Sequence, residues 1–217
     1  LPLSVSETHS QANLRKSHNE VLEEIRKISE HIQQLEESLR PEFEGNLSTA
    51  FGCTLEGKVS EDLVLKLGVR MMGLGCDEIG LSDTTGYANP NQIKRLIRLL
   101  KKEVGEENLK SMHLHNTRGL GLANALASLE EGITTLDSSL GGIGGCPFAP
   151  GASGNIVTED LVFMLDAMGV ETGIDINKLL EVTKKVQSFI PDESIYGFTK
   201  DSGLPIGYEK GWGIVRS

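Results

Sequence analysis

Apolar and polar positions follow two alternating periods along the chain. "LPLSVSE" opens as a short strand that runs into a loop. From about Leu14 to Leu39, Val21, Leu22, Ile25, Ile28, Ile32 and Leu35 recur at three- and four-residue spacing, with glutamates and lysines covering the other side. That spacing predicts an amphipathic helix ended by Pro41. A strand is expected over Glu42 to Ala50, and Gly52 and Gly57 bracket the next loop. Ser60 then N-caps a helix with Leu63, Leu67, Val69 and Met71 on its apolar side. "CDEIGLS" reads as a strand, "DTTGYANP" as a loop, and a helix from about Asn91 carries Ile93, Leu96, Ile97 and Leu100 inward. "LKSMHLH" is strand-like, "LGLANALASLEEG" helical, "ITTLDSS" a strand and "LGGIGGCPFAPGASGN" a glycine-rich loop. Helices over "IVTEDLVFMLDAMG" and from Ile176 to about Ile190 follow, and periodicity is lost beyond Pro191.

Short strands alternating with longer amphipathic helices predict an α/β protein with parallel strands. A doubly wound sheet fits the order, and so does a (β/α)8 TIM barrel. Polar residues recur just after the strand ends: Glu7, Glu56, Asp83, His113 with His115, and then the glycine-rich loop. A barrel gathers such loops at one mouth, which decides the expectation in its favour. Residues 1–190 are read as barrel and 191–217 as a C-terminal tail.

Charge and cysteine content narrow the partners. A formal net charge of -10 over 217 residues argues against a nucleic-acid backbone, which needs a positive surface. The basic run Lys94, Arg95, Arg98, Lys101 and Lys102 sits at helical spacing and reads as a solvated helix face. Cys53, Cys76 and Cys146 cannot all pair with one another and suit a reducing compartment. No apolar run of about 18 residues and no charged-then-apolar leader occurs, so neither a membrane partner nor secretion is expected, and the cytoplasm is the expected location.

The sharpest chemical signal is "SMHLHNTRGLG". Side chains at i and i+2 of a strand point the same way, so His113 and His115 can face one ion while Leu114 faces helices. The bland reading is a pair of histidines hydrogen-bonded to backbone. Two nitrogens do not complete a site, because magnesium or manganese takes about six donors. Asn155, in "PGASGNIVTED", can supply an oxygen or simply cap a helix, and Glu159 can orient a ligand from behind. Cys146 is flanked by Gly144, Gly145 and Pro147. A thiol held there is placed to donate or accept a proton. Asp83 opens "DTTGYANP" directly after a strand and can bind a hydroxyl, order water or take a proton. Cys53 follows a strand end and is expected to line the pocket, whereas Cys76 reads as a packing residue. "RGLG" lacks the Walker lysine and the full dinucleotide glycine pattern, which disfavours a nucleotide site.

The segments "SETHSQANL", "GCTLEGKVS", "SDTTGYANP", "MHLHNTRGLGLAN", "DSSLGGIGGCPFAPGASGN" and "TEDLVFMLDAMG" together resemble hydroxymethylglutaryl-CoA lyase, within the metal-dependent acyl-CoA lyases and Claisen-type synthases built on a TIM barrel. The resemblance implies that this chain covers about strands 4 to 8 of that barrel and a C-terminal helical region. It implies that His113 and His115 match the metal-binding histidines, Asn155 the asparagine ligand, Cys146 the catalytic loop cysteine, Asp83 a pocket aspartate, and Glu159 a supporting acid. Glu7 looks like the polar residue ending the fourth strand. The implied cofactor is a divalent cation, Mg2+ or Mn2+, and the implied partners are an acyl-CoA thioester and a second copy of the chain. The family's aspartate ligand and adjacent arginine belong to its first strand, so a longer protein is expected, with the visible segment inactive by itself. Asn46 stands where the family carries a tyrosine, and "GCTLEG" where it carries "GCPYEG". These differences keep a citramalyl-CoA-like substrate, or a non-catalytic barrel homologue, as alternatives.

Overall fold

The structure, a computed structural model, describes residues 1–145 and 154–211. These form two compact units, Leu1–Asp137 and, separately, Ser138–Gly145 with 154–211. The division drawn at 190 from the loss of periodicity falls inside the second unit.

The first unit is built on a parallel sheet of β1 (Pro2–Ser4), β2 (Glu44–Ser48), β3 (Glu78–Asp83), β4 (Leu109–Leu114) and β5 (Thr135–Asp137), in spatial order β1-β2-β3-β4-β5. Spatial order equal to sequence order separates the two candidate architectures. A doubly wound sheet reverses direction at a switch point, whereas right-handed crossovers that never reverse put every helix on one side, as in a barrel.

The register aligns Leu3 with Leu47, Leu47 with Leu81, Leu81 with Met112 and Met112 with Leu136. Leu3, Leu47, Leu81 and Met112 are fully buried on that side. Apolar residues of α2 (His18–Gln33), α3 (Glu61–Gly73) and α4 (Pro90–Val104) are buried as well, among them Ile25, Leu67, Ile93 and Ile97. Each such side chain stabilises the fold by roughly 1.5–3 kcal/mol relative to exposure. Capping fixes where these helices start. Ser17 and Glu20 form a reciprocal capping box at α2, and Asn89 with Gln92 forms another at α4, ahead of Pro90.

The predicted helix over Leu14 to Leu39 is therefore broken. A first helix, α1 (Glu7–Leu14), ends at Arg15 in the left-handed region, and α2 starts afresh after Ser17. The other expected helices and strands are present with shifted ends, including α5 (Gly121–Glu130). In the basic run on α4, Arg95, Arg98 and Lys102 are exposed as expected, and Lys94 is half-buried. Lys94 pairs with Glu130, Arg95 with Glu61 and Arg98 with Glu131, while Lys101 is buried and donates to the Glu131 carbonyl. The face ties α4 to its neighbours.

The second unit contains α6 (Thr158–Ala167), α7 (Ile176–Phe189) and α8 (Phe198–Ser202). Asp160, buried on α6, accepts the Phe198 and Thr199 amides at 3.0 and 2.7 Å and so caps α8. Among the described residues no helix is long and apolar enough to cross a membrane.

Candidate metal centre on the polar face of the sheet

The face opposite the leucine row is polar. Ser4 aligns with Ser48, Ser82 with His113, and His113 with Asp137. One row lower, Asn46 aligns with Gly80 and Gly80 with Ser111. Hydrogen bonds knit the two rows: Ser82 Oγ donates to Asn46 Oδ1 at 2.5 Å, and Asn46 Nδ2 donates to Glu44 Oε1 at 3.1 Å.

His113 and His115 meet at the C-terminal end of β4. Their Nε2 atoms face each other at 3.2 Å, with the rings edge-on and 5.1 Å between centroids. Asp137 Oδ2 lies 3.2 Å from His113 Nδ1, so it accepts the Nδ1 proton and leaves the Nε2 lone pair pointing at His115. Burial, followed by the neighbouring His113, pushes the His115 pKa down to about 4, which keeps this ring neutral at ordinary pH. His115 Nδ1 is buried with no hydrogen-bond partner among the described residues. Two imidazoles aiming ring nitrogens at one place fit a divalent cation better than they fit each other. No group of three or more His, Cys, Asp or Glu side chains that could hold a metal occurs among the described residues. Among the described residues, the pair could offer two nitrogen donors to a cation.

Asp83 ends β3, but it alternates to the opposite side from Ser82 and His113. Its oxygens accept the Tyr87 and Ala88 amides at 2.8 and 3.0 Å. Burial raises its pKa, opposed by these amides and by the Arg118 charge. These two contacts let the Asp83 carboxylate hold the turn after β3.

Glu7 departs from expectation. It is an exposed first-turn residue of α1, N-capped by Ser6, and its carboxylate accepts the His18 amide at 3.3 Å. It does not line the strand end. Cys53 is fully buried, bridged to Gly57 by backbone hydrogen bonds of 2.8 and 2.7 Å, with Sγ accepting the Leu55 amide. Cys76 is buried and its thiol is pushed up to about 11 by burial, which agrees with the packing role expected of it.

In the second unit, Asn155 does not cap α6, whose N-cap position is Val157. Its Nδ2 donates to the Ile143 carbonyl at 3.1 Å, while its Oδ1 is buried without a partner among the described residues. An amide anchored by its nitrogen with its oxygen unmatched suits a cation ligand. Glu159 is fully buried and accepts the Gly141 amide and the Thr183 hydroxyl. It holds the Leu140–Gly142 turn, where Gly141 and Gly142 have φ of 58° and 67°. Cys146 and the rest of its loop lie outside the described residues.

Sequence reasoning passed over Asp137. Its only signal was its place at the end of the strand beside the histidines, and that needs the register to be seen.

A family model described as HMGL-like matches residues 1–186. The chain is 38% identical over 185 residues to a Bacillus subtilis (strain 168) protein named hydroxymethylglutaryl-CoA lyase, covering 85% of this chain and 60% of that protein. It is 40% identical over 178 residues to mitochondrial hydroxymethylglutaryl-CoA lyase of Mus musculus, covering 82% and 53% of the two. A solved HMG-CoA lyase of Acinetobacter baumannii, in complex with coenzyme A and 3-methylmalate, superposes with a TM-score of 0.87 at 40% identity, covering 96% of this chain and 66% of that one. The chain thus spans between about half and two-thirds of the length of these relatives.

Proposed function

The chain belongs to the HMGL-like family, and on that premise we propose that it serves a divalent-cation-dependent carbon–carbon lyase that cleaves 3-hydroxy-3-methylglutaryl-CoA to acetyl-CoA and acetoacetate. The single observation that carries this reading is the pair of Nε2 atoms facing each other at 3.2 Å beside Asp137. His113 and His115 are the proposed nitrogen ligands of Mg2+ or Mn2+, and Asn155 is proposed as an oxygen ligand on the family resemblance alone. Held by these residues, a divalent cation would supply Lewis-acid polarisation of the substrate's tertiary hydroxyl and a carbonyl oxygen, which would favour loss of the hydroxyl proton.

The chain's own residues then have separate tasks. The histidines would hold the cation, and Asp137 keeps His113 in the tautomer that can ligate. Asp83 shapes the turn after β3, and Glu159 holds the turn that leads into the glycine-rich loop. As the hydroxyl proton passes to a base, proposed here as Asp83 acting through water or a ligating histidine, the carbon–carbon bond breaks, acetoacetate gains its carbonyl and the acetyl-CoA fragment becomes an enolate. Cys146 is the proposed donor of the proton that this enolate carbon takes up. A homodimer is part of the same proposal, by family resemblance.

Cleavage assays on full-length protein with and without chelator, and on Cys146→Ala, test this reading. Metal-dependent release of acetoacetate and loss of turnover in the variant are expected. Turnover that survives chelation would remove the cation from the reading, and turnover unchanged in Cys146→Ala would remove the thiol.

One observation favours a second substrate. Asn46, bonded to Ser82 and Glu44, faces the same side as His113 one row below it. A polar amide at that depth suits a shorter hydroxylated acyl group, such as a citramalyl-CoA-like thioester. Comparing turnover of the two thioesters decides between them.

A further inference from the structure

Thr49 is the first residue beyond β2, and its φ is 55°. Left-handed backbone is the province of glycine, and a β-branched side chain meets its carbonyl there. Thr49 is nevertheless fully buried and bound on every side. Its Oγ1 accepts the Ser6 amide at 3.1 Å and shares a 2.9 Å hydrogen bond with Ser4 Oγ, which in turn lies 3.0 Å from His9 Nδ1. Its amide donates to Thr84 Oγ1 at 2.9 Å, and its carbonyl accepts the Gly52 amide at 3.2 Å. One strained residue therefore ties together the C-terminal ends of β1, β2 and β3.

The consequence lies in the loop that Thr49 launches. The reversal at Thr49 lays residues 50–57 against the turn after β3. Thr85 Oγ1 donates to the Gly52 carbonyl at 3.0 Å. Tyr87 lies so close over Gly52 that a Cβ there would stand 2.5 Å from its ring. The same turn presents the Tyr87 and Ala88 amides to Asp83. Arg118 extends the clamp from the loop after β4, donating to the Thr85 and Gly86 carbonyls and stacking on Tyr87 at 4.5 Å. Strain of this kind persists only where the surroundings over-determine it. Here the surroundings are the loops at the end of the sheet that carries the histidine pair.

We propose that Thr49 is a positioning residue: its hydroxyl holds a left-handed backbone that clamps loop 50–57 onto the turn after β3 and so sets the mouth of the site. Its importance for turnover rests on the lyase reading above, whereas the clamp itself does not. Glycine adopts this backbone without strain, so Thr49→Gly separates stability from positioning.

The test uses full-length protein, with thermal midpoint, amide exchange at Tyr87 and Ala88, and kcat and KM for 3-hydroxy-3-methylglutaryl-CoA as readouts. Thr49→Gly is expected to keep or raise the midpoint, to speed exchange of the two amides at least tenfold, and to lower kcat at least tenfold with KM changed less than threefold. Thr49→Ser, which keeps the hydroxyl, should restore both exchange and kcat to near the parent values. Unchanged exchange in Thr49→Gly, or losses that Thr49→Ser fails to restore, would overturn the proposal. Faster exchange in a protein whose parent form does not cleave the thioester would refute the lyase reading and leave the clamp standing. Faster exchange with undiminished kcat in an active enzyme would refute the positioning role.

Discussion

The two faces of one sheet divide the work of this molecule. On one side Leu3, Leu47, Leu81 and Met112 are buried against helices as an apolar row. On the other, Ser4, Ser48, Ser82, His113 and Asp137 form a polar row in the same register. Strand alternation makes both from the same residues of chain, so Met112 and Leu114 anchor β4 while His113 between them is delivered to the opposite side. Stability and chemistry are thus separable by single substitutions one residue apart.

The largest effect should follow from emptying the leucine row. Leu81→Ala in the full-length protein is expected to lose about 2–5 kcal/mol of folding stability, read by chemical denaturation. Metal affinity per folded molecule should stay near the parent value; a parallel loss would mean that the two faces are not separable. His115→Ala should do the reverse, keeping the denaturation midpoint close to the parent while weakening Mn2+ binding on the order of 100-fold or more by calorimetry, beyond the usual effect of losing a residue behind a ligand. Asp137→Asn, which touches the ligand only through His113 Nδ1, should fall below that, with affinity reduced about 10–100-fold. An unchanged affinity would show that the 3.2 Å contact does not set the tautomer.

The smallest effect concerns His9, which is buried beside Ser4 and has its pKa lowered by that burial. Its folded pKa lies below the unfolded value of 6.5, so the unfolded chain binds the proton first. Stability should therefore fall as pH drops below 6.5, with a slope of at most about 1.4 kcal/mol per pH unit from this group. His9→Gln should flatten the slope, whatever it does to the midpoint at neutral pH. A slope identical to that of the parent would contradict the assignment.

Much of this was legible before any coordinates. The apolar periods of α2 and α4 and the His113–Leu114–His115 alternation gave element types and the face of the histidines directly. Ser17 with Glu20 is a readable capping box that the long apolar stripe from Val21 through Leu35 conceals. The short helix Glu7–Leu14 has too few apolar positions to announce itself, so the sequence pattern leaves Glu7 looking like a strand-end residue. Asp83 was placed correctly at the end of its strand, but which side it faces depends on where the strand starts, and its capture by the Tyr87 and Ala88 amides depends on the turn. Thr49 and Asp137 carry no local signature at all. A left-handed threonine is specified by partners as distant as Ser4 and Thr84, and a carboxylate behind a histidine is specified by strand register.

The central claim is that His113 and His115 together hold one divalent cation through Nε2. Anomalous diffraction from crystals of the full-length protein grown with Mn2+ tests it most directly. A single manganese peak per protomer at ligand distance from both Nε2 atoms, with Asp137 still on His113 Nδ1, is the predicted result. A peak elsewhere, or Nε2 atoms still facing each other with no metal between them at saturating Mn2+, would contradict it.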